Sequence, residues 1–293
     1  MTTFASARRP ARLHEHSRAP FRTEPKPRTS FIDVRLESQR ARGWFDLVDT
    51  APSYVSVALL QEMGVHSRRI LQGEYGIIRT RILSSRIPGI FSLGGDLEFF
   101  LGAIERQDSA GLSQYAVAAI DEVWSNVSGC GDPGLSTVAL VEGEAQGGGF
   151  EAALSCQVII AEETASFGFP ESLFGLFPGM GAAQLIAARS DPAVAERLIS
   201  RANRYPANFL KEIGIVDIVV PAGQGRQFLN DNSIELVLES ARARRIEAFQ
   251  TLKYASLVSS IEEWVDTAMR LNDRHLRSMR YLLAAQRKAH PVT

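Results

Sequence analysis

A buried strand that runs into three consecutive glycines limits the folds open to this chain. Residues 135–141 form a continuous apolar run, and Gly147, Gly148 and Gly149 follow shortly after it, before an apolar helical segment. A continuous apolar strand is typical of a sheet that is covered on both faces. Three glycines in a row cost conformational entropy, which indicates that the backbone there must approach another group closely. The pattern predicts an α/β fold with a site at a strand–helix turn.

A second turn of the same kind lies upstream. Gly94 and Gly95 follow a short apolar run at residues 90–93 and precede a predicted helix at residues 97–104. Backbone N–H groups at a helix N-terminus can hold an anion or a developing oxyanion. Either turn alone is explained as a tight strand–helix connection. Together, the two turns favour a site in which each directs one N–H at a single oxygen.

Two glutamates lie in apolar surroundings near these turns. Glu151 is in the segment FEAALSC and Glu171 is in FGFPESLF, and the chain from residue 107 to residue 188 contains ten acids but no Lys, Arg or His. A buried carboxylate is costly without a partner. Burial and like charge both raise a carboxyl pKa, which suits general acid–base chemistry. For Glu171 the first turn of a helix is an ordinary alternative, because acids suit the helix dipole there.

Composition excludes several other classes of protein. Two cysteines among 293 residues do not support a disulfide scaffold or a Cys-rich zinc module, and the five histidines form no H-E-x-x-H pair. No apolar run reaches the roughly 18–20 residues of a membrane span. A G-x-G-x-x-G match at residues 129–134 precedes a strand and contains a proline. It is therefore interpreted as a loop, and not as a dinucleotide site.

The net charge of −1 is the sum of three unlike segments. Residues 1–30 hold seven basic and two acidic residues. Residues 31–269 hold 19 basic and 30 acidic residues, and residues 270–293 hold six basic residues and one acidic residue. The first segment has few large apolar groups and is predicted to be a disordered basic arm. The hydrophobic periodicity predicts a mixed α/β core over residues 31–220 and a helical region over residues 221–293.

Within the core, the sequence predicts a hairpin from residues 31–38 and 43–48 and a helix over residues 53–71. A strand at residues 77–83 alternates apolar residues with Arg79 and Arg81, which indicates one solvent-facing side. Downstream, the only late strand is expected at residues 215–220, and residues 261–288 are expected to form one helix. Six basic side chains of the C-terminal segment could receive a phosphate or an acidic carrier protein, although a solvated face explains them equally well.

These segments together resemble the crotonase (enoyl-CoA hydratase/isomerase) superfamily. The resemblance covers about residues 30–290 and is carried by the segments FSLGGD (91–96), GEAQGGGFE (143–151), FPE (169–171) and FPGMG (177–181). Within the superfamily, the chain is most similar to the bacterial diffusible signal factor synthases, which make cis-2-unsaturated fatty acids used as cell–cell signals. That similarity is carried by GGGFEAALSC (147–156), LFPGMG (176–181) and WVDTAM (264–269).

The resemblance implies a role for six residues. The backbone N–H groups of Gly95 and Gly148 would form an oxyanion hole, Glu151 and Glu171 would be the catalytic carboxylates, and Met180 and Trp264 would line the acyl tunnel. Simple helix packing explains Trp264 as well. Glu144 and Gln146 depart from the family pattern, and their plain interpretation is a solvated strand end. If Glu144 points inward, a third carboxylate would perturb the pair.

The resemblance also implies a spiral ββα core with a helical C-terminal trimerisation region, and hence a homotrimer or a dimer of trimers in the cytoplasm. The substrate would be an acyl thioester of acyl carrier protein or CoA, with no metal, no redox cofactor and no nucleic acid partner. Related synthases can engage a sensor-kinase receiver domain, but no segment of this sequence identifies such a surface.

Three functions stay open. The leading hypothesis is dehydration of a 3-hydroxyacyl thioester followed by thioester hydrolysis. An ordinary enoyl-CoA hydratase or isomerase would use the same residues but leave the thioester intact. A non-catalytic crotonase-fold scaffold is the third, and retention of both glutamates argues against it.

Overall fold

The computed structural model describes residues 30–231 and 234–289. The predicted basic arm therefore lies outside the described residues, apart from Ser30, and so do the last four residues of the chain. In the described ranges, no helix combines the length and apolar character that a membrane crossing requires.

Ten strands in the described residues form two sheets. The larger sheet has the order β1-β2-β3-β5-β7-β10, and the smaller has the order β4-β6-β8-β9. The strands are β1 Ile32–Glu37, β2 Arg42–Leu47, β3 Thr80–Ser85, β4 Ile90–Ser92, β5 Ser136–Val141, β6 Glu144–Gln146, β7 Val158–Glu162, β8 Ser166–Gly168, β9 Arg204–Pro206 and β10 Ile218–Val220.

Twelve α-helices connect and cover these strands in the same ranges. They are α1 Val57–Leu71, α2 Leu97–Glu105, α3 Ser109–Val127, α4 Gly148–Ser155, α5 Ala182–Arg189, α6 Pro192–Ile199, α7 Ala207–Glu212, α8 Gly225–Asn230, α9 Ile234–Thr251, α10 Tyr254–Val258, α11 Ser260–Met269 and α12 Asp273–Ala289. A 3-10 helix at Pro170–Phe174 follows β8. Beyond β10, the described residues are helical or in turns, as the sequence predicts.

The chain alternates between the two sheets as it advances. β3, β5 and β7 are parallel neighbours in the larger sheet, and the strand after each of them, β4, β6 or β8, joins the smaller sheet. Helices α2 and α3 follow the first strand pair, and α4 follows the second. This repeat is the predicted spiral ββα core. The hairpin of β1 and β2 is antiparallel, as predicted, and adds two strands to the larger sheet.

Both faces of the larger sheet are covered. One cluster of buried side chains joins the sheet to α1, α3 and α4, and a second joins the opposite face to α8 and α9 through residues such as Leu229 and Leu238. The prediction of one solvent-facing side for β3 is therefore wrong. Arg81 is only 1% exposed and lies over the ring of Phe45, at 5.2 Å from its centroid. Glu122 of α3 lies 3.9 Å from the guanidinium as its counter-ion.

The other differences from the prediction are short elements and one helix end. The segment 261–288 forms two helices, because the side-chain oxygen of Asn272 accepts hydrogen bonds from the N–H groups of Arg274 and His275 and so begins α12. The late strand is limited to β10, and β9 is a second late strand that the sequence did not predict. Strands of three residues, such as β6, β8 and β9, are too short to give a periodic signal.

A buried ion cluster holds α4 and α5 in place. Arg189, at the end of α5, donates hydrogen bonds to the carbonyl groups of Leu154 and Cys156 at the end of α4. Its charge is balanced by Asp217 at 3.2 Å, which also pairs with Arg245 at 3.0 Å. A cation at a helix C-terminus stabilises the helix dipole. The cluster therefore fixes the C-terminal end of α4, whose N-terminal end forms the candidate site.

Candidate active site

A largely apolar cavity of about 320 Å³ lies at the N-terminal end of α4. The turn at Gly94 and Gly95, the turn at Gly147 and Gly148 and the 3-10 helix form its wall. Side chains of α11 and α12 complete the wall, among them Trp264, Leu282 and Gln286. All six residues to which the resemblance assigns a role line this one cavity, so the fold brings together residues that are far apart in the sequence.

The two glycine turns contact each other directly. A Cβ atom added to Gly94 would lie 3.4 Å from the amide nitrogen of Gly148, and one added to Gly148 would lie 3.7 Å from the amide nitrogen of Gly95. Gly147 has φ 51° and ψ −125°, which strongly favours glycine. The glycines are therefore needed both for the shape of the turn and for the close approach of the two backbones.

The amide groups of Gly95 and Gly148 border the same small space and are free to bind a ligand. Within the described residues, neither N–H donates a hydrogen bond to another group of the chain. Gly148 is the first residue of α4, where N–H groups have no partner inside the helix. Two such donors beside one oxygen can stabilise the charge of an enolate or a tetrahedral oxyanion.

Glu151 lies in α4, one helical turn beyond Gly148, and is 1% exposed. Its Oε1 atom accepts hydrogen bonds from the N–H groups of Met180, at 2.8 Å, and Ala182, at 3.1 Å. Burial raises the pKa of this carboxyl to about 7, although the two N–H donors oppose the rise. Because both donors favour the ionised form, Glu151 is well placed to hold a negative charge.

Glu171, in the 3-10 helix, faces the turn at Gly147. A Cβ atom on Gly147 would lie 2.4 Å from its Oε1 atom, so the carboxyl group rests against the backbone of that turn. Its Oε2 atom is enclosed and has no hydrogen-bond partner in the described residues. Burial, and then the nearby charge of Glu151, raise its pKa to about 8. Near neutral pH, Glu171 therefore holds a proton more readily than Glu151 does.

Residues 107–188 contain no Lys, Arg or His, but arginines from other parts of the chain pair with several of their acids. Glu151 and Glu171 have no such partner in the described residues. Arg81 pairs with Glu122, Arg226 with Glu142 and Arg204 with Glu144. In the described residues, no Lys, Arg or His forms an ion pair with Glu151 or Glu171. No nearby cation therefore lowers the pKa of either glutamate.

Met180 and Trp264 both line the cavity. The methyl end of Met180 lies over Gly148, where a Cβ atom would approach it to 2.5 Å. The indole N–H of Trp264 donates to the carbonyl of Phe177 at 3.1 Å, and its ring packs edge-on against Phe100 at 5.4 Å between centroids. Trp264 therefore packs against its neighbours and faces the cavity at the same time.

Glu144 and Gln146, the two residues that depart from the family pattern, differ in their surroundings. Glu144 lines the rim of the cavity, remains partly exposed and pairs with Arg204 at 2.6 Å. It does not contribute to the pKa shifts of Glu151 and Glu171. Gln146 is 8% exposed and lines the cavity, so its interpretation as a solvated strand end is wrong. It is buried because β6 is an inner strand, between β4 and β8.

Other lining residues were not found from the sequence. Phe100 and Tyr115 approach the cavity from α2 and α3, and the Tyr115 hydroxyl donates to the carbonyl of Val55 at 2.6 Å. Gln286 of α12 donates to the carbonyl of Leu93 at 2.9 Å, beside the turn at Gly94. The amphipathic pattern of α12 indicates a packed face, but which residues meet the cavity depends on how the helix crosses the core.

Comparison with known proteins identifies the family of the chain. The family model described as enoyl-CoA hydratase/isomerase matches residues 73–280. A mitochondrial protein of Arabidopsis thaliana, named as a probable enoyl-CoA hydratase 2, is 29% identical over 192 residues, which are 65% of this chain and 58% of that protein. The chain spans about half the length of the curated relatives that it matches.

Solved structures share the fold at low sequence identity. Human mitochondrial delta3-delta2-enoyl-CoA isomerase superimposes with a TM-score of 0.70 at 18% identity, over 88% of this chain and 99% of the isomerase. Pseudomonas aeruginosa DspI superimposes with a TM-score of 0.57 at 21% identity, over 89% and 93% of the two chains. Since the family model matches more than half of the sequence, the chain belongs to the enoyl-CoA hydratase/isomerase family.

Proposed function

We propose that this protein dehydrates a 3-hydroxyacyl thioester and then hydrolyses the thioester, releasing a cis-2-unsaturated fatty acid that serves as a cell–cell signal. The observation that carries the chemistry is a pair of glutamates with raised pKa values, Glu151 buried and Glu171 partly buried, beside two unpaired N–H groups. The finer assignment, to signal synthesis, rests on the likeness of three motifs to the diffusible signal factor synthases. The carrier of the acyl group is acyl carrier protein or CoA.

In the dehydration step, the thioester carbonyl oxygen accepts hydrogen bonds from the N–H groups of Gly95 and Gly148. One carboxylate removes the proton from the α-carbon, and the electron pair forms an enolate that these two donors stabilise. The enolate then forms the double bond as the bond between the β-carbon and the hydroxyl oxygen breaks. The other glutamate, as a carboxylic acid, protonates that oxygen, and one molecule of water leaves.

In the hydrolysis step, a carboxylate takes a proton from water as the water oxygen bonds to the thioester carbon. The same N–H groups stabilise the tetrahedral oxyanion. When this intermediate collapses, the carbon–sulfur bond breaks and the thiol of the carrier leaves with a proton. Both steps therefore use one oxyanion site and one pair of carboxyl groups, and these groups line a single cavity.

A bell-shaped pH profile is the first expected result. The dehydration step needs one ionised and one protonated glutamate, and the pair has pKa values of about 7 and about 8. Below the lower value the base is lost, and above the higher value the acid is lost. We expect kcat/KM for a 3-hydroxyacyl thioester to be highest between about pH 7 and pH 8. A profile that stays flat from pH 5 to pH 9 would contradict the acid–base pair.

A second candidate function is an enoyl-CoA hydratase, which is favoured by the names of the curated relatives. Two readouts on one 3-hydroxyacyl thioester separate the candidates: the enoyl thioester formed and the free thiol released. We expect the purified protein to release free thiol in proportion to the enoic acid formed. Reversible formation of enoyl thioester without thiol would support the hydratase, and no turnover of CoA or carrier-protein thioesters would support a non-catalytic scaffold.

A further inference from the structure

The side-chain amide of Gln146 is buried in the cavity wall without a partner. Gln146 is 8% exposed, and its Nε2 atom is enclosed with no hydrogen-bond partner in the part of the chain that the structure describes. An amide N–H that is buried without a hydrogen-bond partner destabilises the folded state. A methionine would fill the same space without that cost, so stability does not explain a glutamine here.

Gln146 precedes the glycine turn against which Glu171 rests. It is the last residue of β6, and Gly147, against which the carboxyl of Glu171 rests, comes next. The amide oxygen passes over Gly168 of the neighbouring strand, where a Cβ atom would lie 2.9 Å from it. Glu171 has an enclosed oxygen, Oε2, that also lacks a partner. Both side chains line the largely apolar cavity, and each has one polar atom without a partner in the described residues.

A hydroxyl group is the ligand that fits both groups. An amide nitrogen only donates and a carboxyl group can donate or accept, whereas a hydroxyl oxygen has one proton and two lone pairs. One lone pair of a β-hydroxyl can take the proton from the carboxylic acid, and the other can accept the amide N–H. The amide would then stabilise the oxygen as it leaves. An enoyl thioester has no oxygen at that carbon and would leave the amide unpaired.

We propose that Gln146 recognises the β-hydroxyl group of the acyl chain and so makes the protein selective for 3-hydroxyacyl over unsubstituted or 2-enoyl thioesters. This inference rests on the proposed function, since it assigns a substrate group to the same cavity. Because the dehydration step breaks the bond to that hydroxyl and the hydrolysis step does not involve it, the two steps should depend differently on Gln146.

The test compares Gln146→Met with Gln157→Met. Gln157 is also buried, but its side-chain oxygen accepts a hydrogen bond from Arg242 at 2.9 Å, and it does not line the cavity. We expect Gln146→Met to lower kcat/KM for 3-hydroxyacyl dehydration by about 10- to 100-fold. Hydrolysis of the matching cis-2-enoyl thioester should change by less than about 3-fold. Gln157→Met should leave the ratio of the two activities unchanged.

Melting temperature separates a structural role from a recognition role. Gln146→Met removes an unpaired buried amide, so its Tm should equal or exceed that of the wild type, by up to about 4 °C. Gln157→Met breaks a hydrogen bond, so its Tm should fall. A fall in Tm for Gln146→Met, together with an equal loss of both activities, would show a structural role and overturn the proposal. Unchanged dehydration would overturn it too.

A binding assay tests the role of Gln146 even if the proposed catalytic function is wrong. If the wild-type protein turns over neither thioester, binding of two non-hydrolysable thioethers still tests Gln146. One carries a 3-hydroxyacyl chain and the other the matching unsubstituted chain. The inference predicts that the wild type binds the hydroxylated compound more tightly and that Gln146→Met abolishes the preference. Equal binding of both compounds by the wild type would contradict it.

Discussion

Replacing Glu171 with glutamine is expected to lower the rate of 3-hydroxyacyl dehydration by about 100- to 10,000-fold. Glutamine fills the same space against Gly147 but can neither hold nor release the proton that the step requires. Glu151→Gln should cause a loss of similar size, because the dehydration step needs one ionised and one protonated glutamate. Steady-state release of free enoic acid from 3-hydroxyacyl carrier protein measures both effects.

Glu163→Gln is the matched control. Glu163 is exposed, lies just beyond β7 and does not line the cavity. Its replacement should leave activity within about 2-fold of the wild type, as expected for a surface substitution. Undiminished enoic acid from both Glu151→Gln and Glu171→Gln would contradict the proposed mechanism.

Glu171→Gln should also change how the stability of the protein depends on pH. The pKa of Glu171 is raised on folding, from 4.5 to about 8. The wild-type protein should therefore lose stability as the pH rises from about 4.5 through about 8, because the folded state binds the proton of Glu171 more tightly than the unfolded state does. Glu171→Gln lacks this loss, so it should be more stable than the wild type at pH 9 and differ little from it at pH 4. Urea unfolding at the two pH values measures the difference.

Gly148→Ala is expected to lower kcat by about 100- to 1,000-fold while the protein stays folded. The added methyl group would lie 3.7 Å from the amide nitrogen of Gly95, in the space where the substrate oxygen would bind. Gly148 is the first residue of α4 and its φ is not positive, so the backbone there accepts alanine without strain. Alanine also suits a helix better than glycine does.

Two further variants test whether the loss of kcat in Gly148→Ala has another cause, either displacement of Met180 or the replacement of a helical glycine. The methyl end of Met180 would lie 2.5 Å from the new Cβ atom, but it is the end of a flexible side chain and can move. If displacement of Met180 caused the loss, Gly148→Ala/Met180→Ala would recover activity relative to Gly148→Ala. We expect no recovery. Gly64→Ala, in α1 and outside the cavity, tests a helical glycine substitution and should leave kcat unchanged.

The sequence predicted the parts of the fold that depend on local patterns. Apolar runs marked the central strands, and glycine turns marked the points where β4 and β6 lead towards α2 and α4. The exposure of Arg81 was predicted wrongly, because alternation with a charged residue resembles a surface strand. A buried arginine requires partners from other elements, here Glu122 of α3 and the ring of Phe45, and those partners are remote in sequence.

In the candidate site, too, the sequence predicted only the residues that carry a local signal. Glu151, Glu171 and the two glycine turns could be singled out because their residue types are costly in apolar or regular segments. In the sequence, Gln146 differs from its neighbours only as a departure from the family pattern, because its burial depends on the position of β6 between two other strands. The lining residues Phe100, Tyr115 and Gln286 carried no local signal, because only the packing of α2, α3 and α12 brings them to the cavity.

Mass spectrometry of the products formed in H₂¹⁸O tests the central claim most directly. The wild-type protein is incubated with a 3-hydroxyacyl thioester, and the products are resolved by mass and double-bond geometry. The proposed function predicts a free cis-2-enoic acid that carries one ¹⁸O in its carboxylate, because water attacks the thioester carbon. An enoyl product that remains attached to its carrier, with no labelled acid, would contradict it.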